Sequence, residues 1–151
     1  MSYGETNYLR NKIVDWLMRA QTFAPPATLY VALVSTTPTA ATAGTPLSGT
    51  GYARQAVTSS LANWAGTQGA GTTTASSGTS GTTSNNGVID FGTAGSDWGT
   101  ATHWEIWDAS SGGNRLWWGE IVDALGTPTG RTIVTGDPVS FPASAMQVQW
   151  V

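Results

Sequence analysis

The side chains that could do chemistry are concentrated in one stretch, SDWGTATHWEIWDASSGGNRLWWGEI, residues 96–121. It holds five of the eight tryptophans of the chain and its only histidine, His103. An exposed indole can stack on a sugar ring and a carboxylate can bind sugar hydroxyls, so this stretch could form a carbohydrate platform. Large aromatic side chains more generally fill cores and protein interfaces. Nothing in the spacing is specific to sugars, and the structural interpretation is favoured.

Within this stretch, HWEIWDASSGGNRLWWGEI predicts two strands joined by an SSGG turn, with positive φ at Gly112 or Gly113. Alternation along the first strand places Trp104 and Ile106 on one face. The opposite face of that strand carries His103, Glu105 and Trp107. In the second strand, Leu116 and Trp118 lie opposite Trp117 and Gly119. Aromatic residues therefore occupy both faces, and the face outside the core needs a cover.

Three tryptophans are the candidate contacts for a partner protein or a glycan: Trp98, Trp107 and Trp117. The cover of the second face is expected to come from the N-terminal helix, the long loops or a neighbouring subunit. In a platform for sugars these indoles would have to stay exposed to solvent, whereas in a protein interface they would be buried against the partner. The exposure of these three indoles therefore separates the two interpretations.

Catalysis has little support in the sequence. His103 alone cannot form a zinc site of two or three histidines, and its place in a strand is typical of a structural histidine. The absence of cysteine excludes thiolate metal sites and thiol nucleophiles, and neither GxSxG nor GxxxxGK is present. A catalytic pair of carboxylates would come from Asp90, Asp97, Glu105, Asp108 and Glu120. Each of these fits a strand end, a turn or a solvent-facing position, so we predict no enzyme, no catalytic residue, no metal and no cofactor.

Charge and composition limit the partners. The net charge is −3 and Lys12 is the only lysine, so nucleic acid is excluded as a partner because phosphate binding needs a basic surface. Charged residues are only 10% of the chain, which suits a protein packed against other subunits. The charged start argues against a secretory signal, and no run approaches the roughly 20 apolar residues of a membrane helix. We expect a protein that does not insert into membranes.

The remaining chain predicts one β-rich domain, residues 1–151, with a helix at about 6–21 and β-structure at about 28–151. The helix is amphipathic, and the stripe expected to pack on the β-structure is Leu9, Ile13, Trp16 and Leu17. TLYVALVS, residues 28–35, is apolar on both faces, which is typical of a strand covered on both sides. We expect the helix to cover one of these faces. Short strands with regular turns follow, which predicts an antiparallel β-sandwich or a jelly-roll-like barrel. In the last strand, the core side is expected to be Met146, Val148 and Trp150.

Two long segments rich in Thr, Ser and Gly, residues 36–50 and 66–87, interrupt this pattern. They carry too little apolar surface to pack by themselves. Ordering a residue costs about 1 to 2 kcal/mol, so we expect neighbouring subunits to supply the contacts that order these loops.

The order of the elements resembles a known family, the small tail-fibre-like structural proteins of tailed bacteriophages. The resemblance covers nearly the whole chain and is most specific at GYARQAV and WGTATHWEIWDASSGG. It implies an all-β virion component without enzymatic activity, made in the host cytoplasm. We expect a homo-oligomer, a trimer, in contact with other virion proteins of the tail or capsid. The alternatives are a capsid decoration (cement) protein and a carbohydrate-binding module that attaches the particle to a host surface glycan.

Overall fold

The computed structural model describes residues 3–150. Helix α1 spans Asn7–Arg19, within the range that the sequence predicted. Thr6 caps its start by accepting a hydrogen bond from the Leu9 N–H at 3.3 Å. At its end Ala20 takes the left-handed conformation, with φ of 54°, and the Gln21 N–H returns to the Asp15 carbonyl. This geometry is the usual way for a helix to stop.

In the described residues the other elements are eleven strands, and the named bounds are as follows: β1 (Tyr3–Glu5), β2 (Thr28–Val34), β3 (Gln55–Thr58), β4 (Thr82–Ser84), β5 (Ile89–Thr93), β6 (Gly99–Ala101), β7 (His103–Trp107), β8 (Arg115–Glu120), β9 (Arg131–Ile133), β10 (Pro138–Phe141) and β11 (Gln147–Gln149). Five of them form one antiparallel sheet in the order β1-β8-β7-β2-β3. Three two-stranded antiparallel ladders, β10-β5, β11-β4 and β6-β9, complete the β-structure.

The fold class agrees with the sequence prediction: the protein is mainly β and antiparallel, with one helix in the described residues. The sheets are arranged like a sandwich and do not close into a barrel. The core is one apolar cluster to which the large sheet and the small ladders both contribute, for example through Leu33, Trp104 and Ile133. Met146 and Val148 are buried as predicted. The prediction is wrong for Trp150, which is 48% exposed and packs only edge-on against Trp117.

The helix packs on the sheet differently from the prediction. Leu9 is buried and Ile13 packs against the core, but Trp16 is 55% and Leu17 67% exposed. The prediction of one continuous buried stripe is wrong, because the stripe is covered only in the first half of the helix and faces solvent in the second half. No helix in residues 3–150 has the length and apolar character needed to cross a membrane.

The second face of β2 is covered by the loop after it, and the predicted helix cover is wrong. Gly44 lies against Val34, where a side chain would leave its Cβ only 2.6 Å from Val34 Cγ2. Pro38 and Leu47 of the same loop are also buried. The loop is therefore held by the sheet of its own chain.

The second long loop also finds its partners within the chain. The Gln68 side chain donates to Thr74 Oγ1 at 3.0 Å and to the Ala75 carbonyl at 3.1 Å, and it accepts from the Ser77 N–H at 3.3 Å. Beyond this network, β4 pairs with β11. Polar side chains inside the loop thus bond several of its backbone groups, and the contribution of neighbouring subunits stays a prediction.

Candidate functional site

The tryptophan-rich stretch folds as the predicted hairpin, β7 and β8, with positive φ at both Gly112 and Gly113. Ile106 pairs with Trp117, and a bulge between Ile106 and Trp107 shifts the register. Trp117 therefore lies on the core face with Ile106 and belongs to the apolar cluster. The sequence named Trp117 together with Trp107 as a candidate contact, but it could not assign Trp117 to a face, because alternation cannot be carried across a hairpin without its register.

On the other face, the carboxylate of Glu105 is 1% exposed and is fully engaged by partners. Its Oε1 accepts from Arg115 Nη1 at 2.9 Å and from the Gly44 N–H at 2.8 Å, and its Oε2 accepts from Trp107 Nε1 at 3.1 Å. Arg115 also donates to the Thr39 carbonyl. The prediction of a solvent-facing or turn position for Glu105 was wrong because the loop after β2 folds over this face. The carboxylate holds that loop on the sheet.

Trp107 is half-buried at the end of this face. The guanidinium of Arg54 lies 3.9 Å from its ring centre and donates from Nη1 to the carbonyls of Ala109 and Gly112 at 2.8 and 2.9 Å. Burial lowers the pKa of Arg54, against the opposite effects of Tyr52, Glu105 and Asp108. One face of the Trp107 ring is therefore covered by a cation fixed to the hairpin loop.

The other two candidate contact tryptophans lie inside the protein. Trp98 is 3% exposed, donates to the Thr50 carbonyl at 3.0 Å and packs edge-on against Tyr52. Trp117 is also 3% exposed and packs edge-on against Trp150 at 4.6 Å. Neither presents an open ring face to solvent, so a contact through them would require the fold to rearrange. Trp107 is the candidate that remains accessible.

His103 is 4% exposed beside this network. Its Nδ1 lies 2.9 Å from Thr102 Oγ1, and its Nε2 lies 3.9 Å from Glu120 Oε1 without a hydrogen bond. Burial lowers the pKa of His103, whereas Glu120 and Glu105 act in the opposite direction. Across residues 3–150, no three His, Asp or Glu side chains are grouped so that they could hold a metal ion.

The remaining candidate carboxylates serve local structure. Asp90 accepts from the Gly92 N–H at 2.7 Å, and Asp97 accepts from the N–H and the hydroxyl of Thr135 at 2.9 and 3.1 Å. Asp108 closes the hairpin by accepting from the N–H and side-chain amide of Asn114 at 2.6 and 2.9 Å. The bonds of Asp90 and Asp108 are typical of turns, whereas Asp97 joins two segments that are 38 positions apart in the chain.

The sequence did not indicate a cleft with a volume of about 800 Å³. Its floor is formed by apolar side chains that include Leu33, Trp104, Ile133, Val139 and Phe141. Its rim carries the charged residues Glu120, Asp123 and Arg131. These residues come from positions far apart in the chain, so no local pattern could have revealed the cleft.

Comparison with known proteins identifies a family that matches nearly the whole chain. The family described as podophage GP4 fiber I protein gp80 matches residues 4–149. No curated protein matches the chain significantly. The family match covers nearly every described element and confirms the resemblance to a tail-fibre-like structural protein of phages. The chain belongs to the family of the podophage GP4 fiber I protein gp80.

Proposed function

We propose that this protein is a non-enzymatic structural subunit of a phage tail fibre, exposed on the virion surface. The observation that carries the proposal is the family match, because it spans residues 4–149 and so includes the large sheet, the helix and all three ladders. In this proposal the subunit assembles as a homotrimer and attaches to other virion proteins.

The geometry of the acidic side chains supports a role without catalysis. Glu105 is committed to three hydrogen-bond donors inside the protein. Asp90, Asp97 and Asp108 accept from nearby backbone N–H groups. A glycosidase needs one carboxylate to act as an acid and a second, across the cleaved bond, as nucleophile or base. These four carboxylates instead hold turns and loops in place. The fifth candidate, Glu120, lies 3.9 Å from His103 Nε2 and lines the rim of the cleft.

Antibody labelling of intact virions, followed by cryo-EM, tests the location. We expect the label and the matching density on the tail. Label distributed over the head would contradict the tail-fibre proposal and favour the capsid decoration protein. Native mass spectrometry of the purified assembly tests its stoichiometry, and a mass of three chains is expected.

A second candidate function, glycan binding, is favoured by one observation: Trp107 is a half-buried indole at the surface, with Arg54 fixed beside it. The test is binding of host surface polysaccharide to the wild type and to Trp107→Ala. Trp16→Ala is the matched control, because Trp16 is an exposed tryptophan on the helix, outside this site. Binding that Trp107→Ala abolishes and Trp16→Ala preserves would support an attachment role. Equal binding by all three proteins would exclude Trp107 as its site.

A further inference from the structure

The large cleft has an apolar floor and a charged rim, and its volume of about 800 Å³ lies in the range of sites that enclose a ligand or a protein segment. One wall is the hairpin of residues 121–129, in which Val122 pairs with Pro128. Five of the six residues from 121 to 126 line the cleft, and Leu125 is the exception. Leu125 is instead 90% exposed. The hairpin therefore presents an apolar side chain to solvent beside a cleft with an apolar floor.

The turn that carries Leu125 is held by several hydrogen bonds. Asp123 Oδ1 accepts from the N–H groups of Leu125 and Thr127 at 2.8 and 3.0 Å. The Asp123 N–H donates to the Thr127 carbonyl at 2.9 Å, and the Gly126 N–H donates to the Asp123 carbonyl at 3.0 Å. A segment already fixed in one shape loses little conformational entropy when it binds. The exposed leucine is thus preorganised for contact.

We propose that the tip of this hairpin, residues 123–127, enters the cleft of a second copy of this chain. Leu125 would contact the apolar floor, and Asp123 beside it would pair with Arg131, the one basic residue among the three charged residues of the rim. Arg131 is exposed and is held by a long bond of 3.4 Å to the Pro138 carbonyl, so it can turn toward a partner. The inference rests on the self-assembly proposed above and names its surface.

Every copy carries both the tip and the cleft. A contact of this kind joins two different surfaces, so each copy gives its tip to one neighbour and receives the tip of another. Such contacts close into a ring when the rotation between copies permits, and a ring of three would satisfy the proposed trimer. Burial of a central apolar side chain with a rim ion pair is also the usual anatomy of a protein interface.

Sedimentation velocity across a dilution series tests the proposal with Leu125→Asp in the full chain. Val88→Asp is the matched control, because Val88 is 64% exposed and lies outside the cleft lining. We expect Leu125→Asp to weaken association at least about tenfold, which is a change of about 1.4 kcal/mol, and Val88→Asp to behave as the wild type. If Leu125→Asp assembles as well as the wild type, or if the wild type stays monomeric throughout, the proposal is wrong. Neither result alters the labelling of the tail, which tests the proposed function separately.

Disulfide trapping tests the geometry directly, because the chain has no cysteine of its own. Leu125→Cys and Ala145→Cys are placed on copies with different tags, since Ala145 is an exposed residue of the cleft lining. Mild oxidation of the mixture should give a disulfide-linked pair that carries both tags, and Val88→Cys mixed with Ala145→Cys should not. Absence of the mixed pair, or an equal yield from the Val88→Cys control mixture, would overturn the proposal. The occupant of the cleft would then be a different virion protein.

Discussion

Arg115 donates to Glu105 across strands β7 and β8 at 2.9 Å, and both side chains are more than nine-tenths buried. The same carboxylate accepts the Gly44 N–H, and the same guanidinium donates to the Thr39 carbonyl. The ion pair therefore fixes the loop of residues 36–50 to the second face of the sheet. A buried charge that keeps all its partners is tolerated, whereas one that loses its counter-ion is strongly destabilising.

Arg115→Met should lower the free energy of unfolding by about 3 to 5 kcal/mol, because Glu105 is left buried without its cation. Arg19→Met is the control, since Arg19 pairs with Asp15 at 2.7 Å on the exposed side of the helix. That change should cost less than about 1 kcal/mol. Urea denaturation of both variants measures the difference. Similar losses would mean that the buried pair is not what holds the loop.

The origin of this ion pair shows what the sequence could reveal. The hairpin was predictable because its turn and its strands are local patterns, and the SSGG glycines took the expected conformation. The burial of Glu105 was not predictable, since it depends on a contact with Gly44, which lies 61 positions earlier in the chain. The face of Trp117 was missed for a related reason, because its pairing with Ile106 is a property of two paired strands. Local periodicity carries neither kind of information.

Two leucines of the helix, about two turns apart, differ in exposure: Leu9 is buried and Leu17 is exposed. Leu9→Ala should destabilise the protein by about 2 to 5 kcal/mol, because its side chain is removed from the core. Leu17→Ala should change stability by no more than about 0.5 kcal/mol, as expected for an exposed position. Thermal denaturation of the two variants checks this. A large loss for Leu17→Ala would show that the far end of the helix is covered in solution, for example by a second copy.

Gly119 permits the close approach of Trp104 to strand β8. A Cβ at position 119 would lie 2.2 Å from Trp104 Cζ2 and 2.7 Å from Cε2, and the indole is buried on the core face. Gly119→Ala should therefore cost at least about 1 to 3 kcal/mol through overpacking. Gly87→Ala is the control, because a Cβ there meets nothing within 4 Å. If both variants have the denaturation midpoint of the wild type, Trp104 has room to move that the structure does not show.

The last prediction concerns pH and follows from the burial of His103, the only histidine of the chain. Burial lowers its pKa in the folded protein below the ordinary value of 6.5, despite the nearby carboxylates of Glu120 and Glu105. Above pH 6.5 the ring is neutral in both the folded and the unfolded protein, and His103 does not lower the free energy of unfolding. As the pH falls below that value, the unfolded chain binds the proton first and the free energy of unfolding decreases, until the folded protein is protonated as well.

His103→Gln should remove this dependence while keeping a polar group beside Thr102. Urea denaturation at about pH 7.5 and about pH 5.5 brackets the range in which histidine titrates and Asp and Glu remain charged. We expect the wild type to lose stability between the two conditions and His103→Gln to lose distinctly less. Because no second histidine contributes to this range, the difference between the two proteins reports on His103 itself. Parallel losses in both would mean that the imidazole is not desolvated in the folded protein, and that the cover over this face opens readily to water.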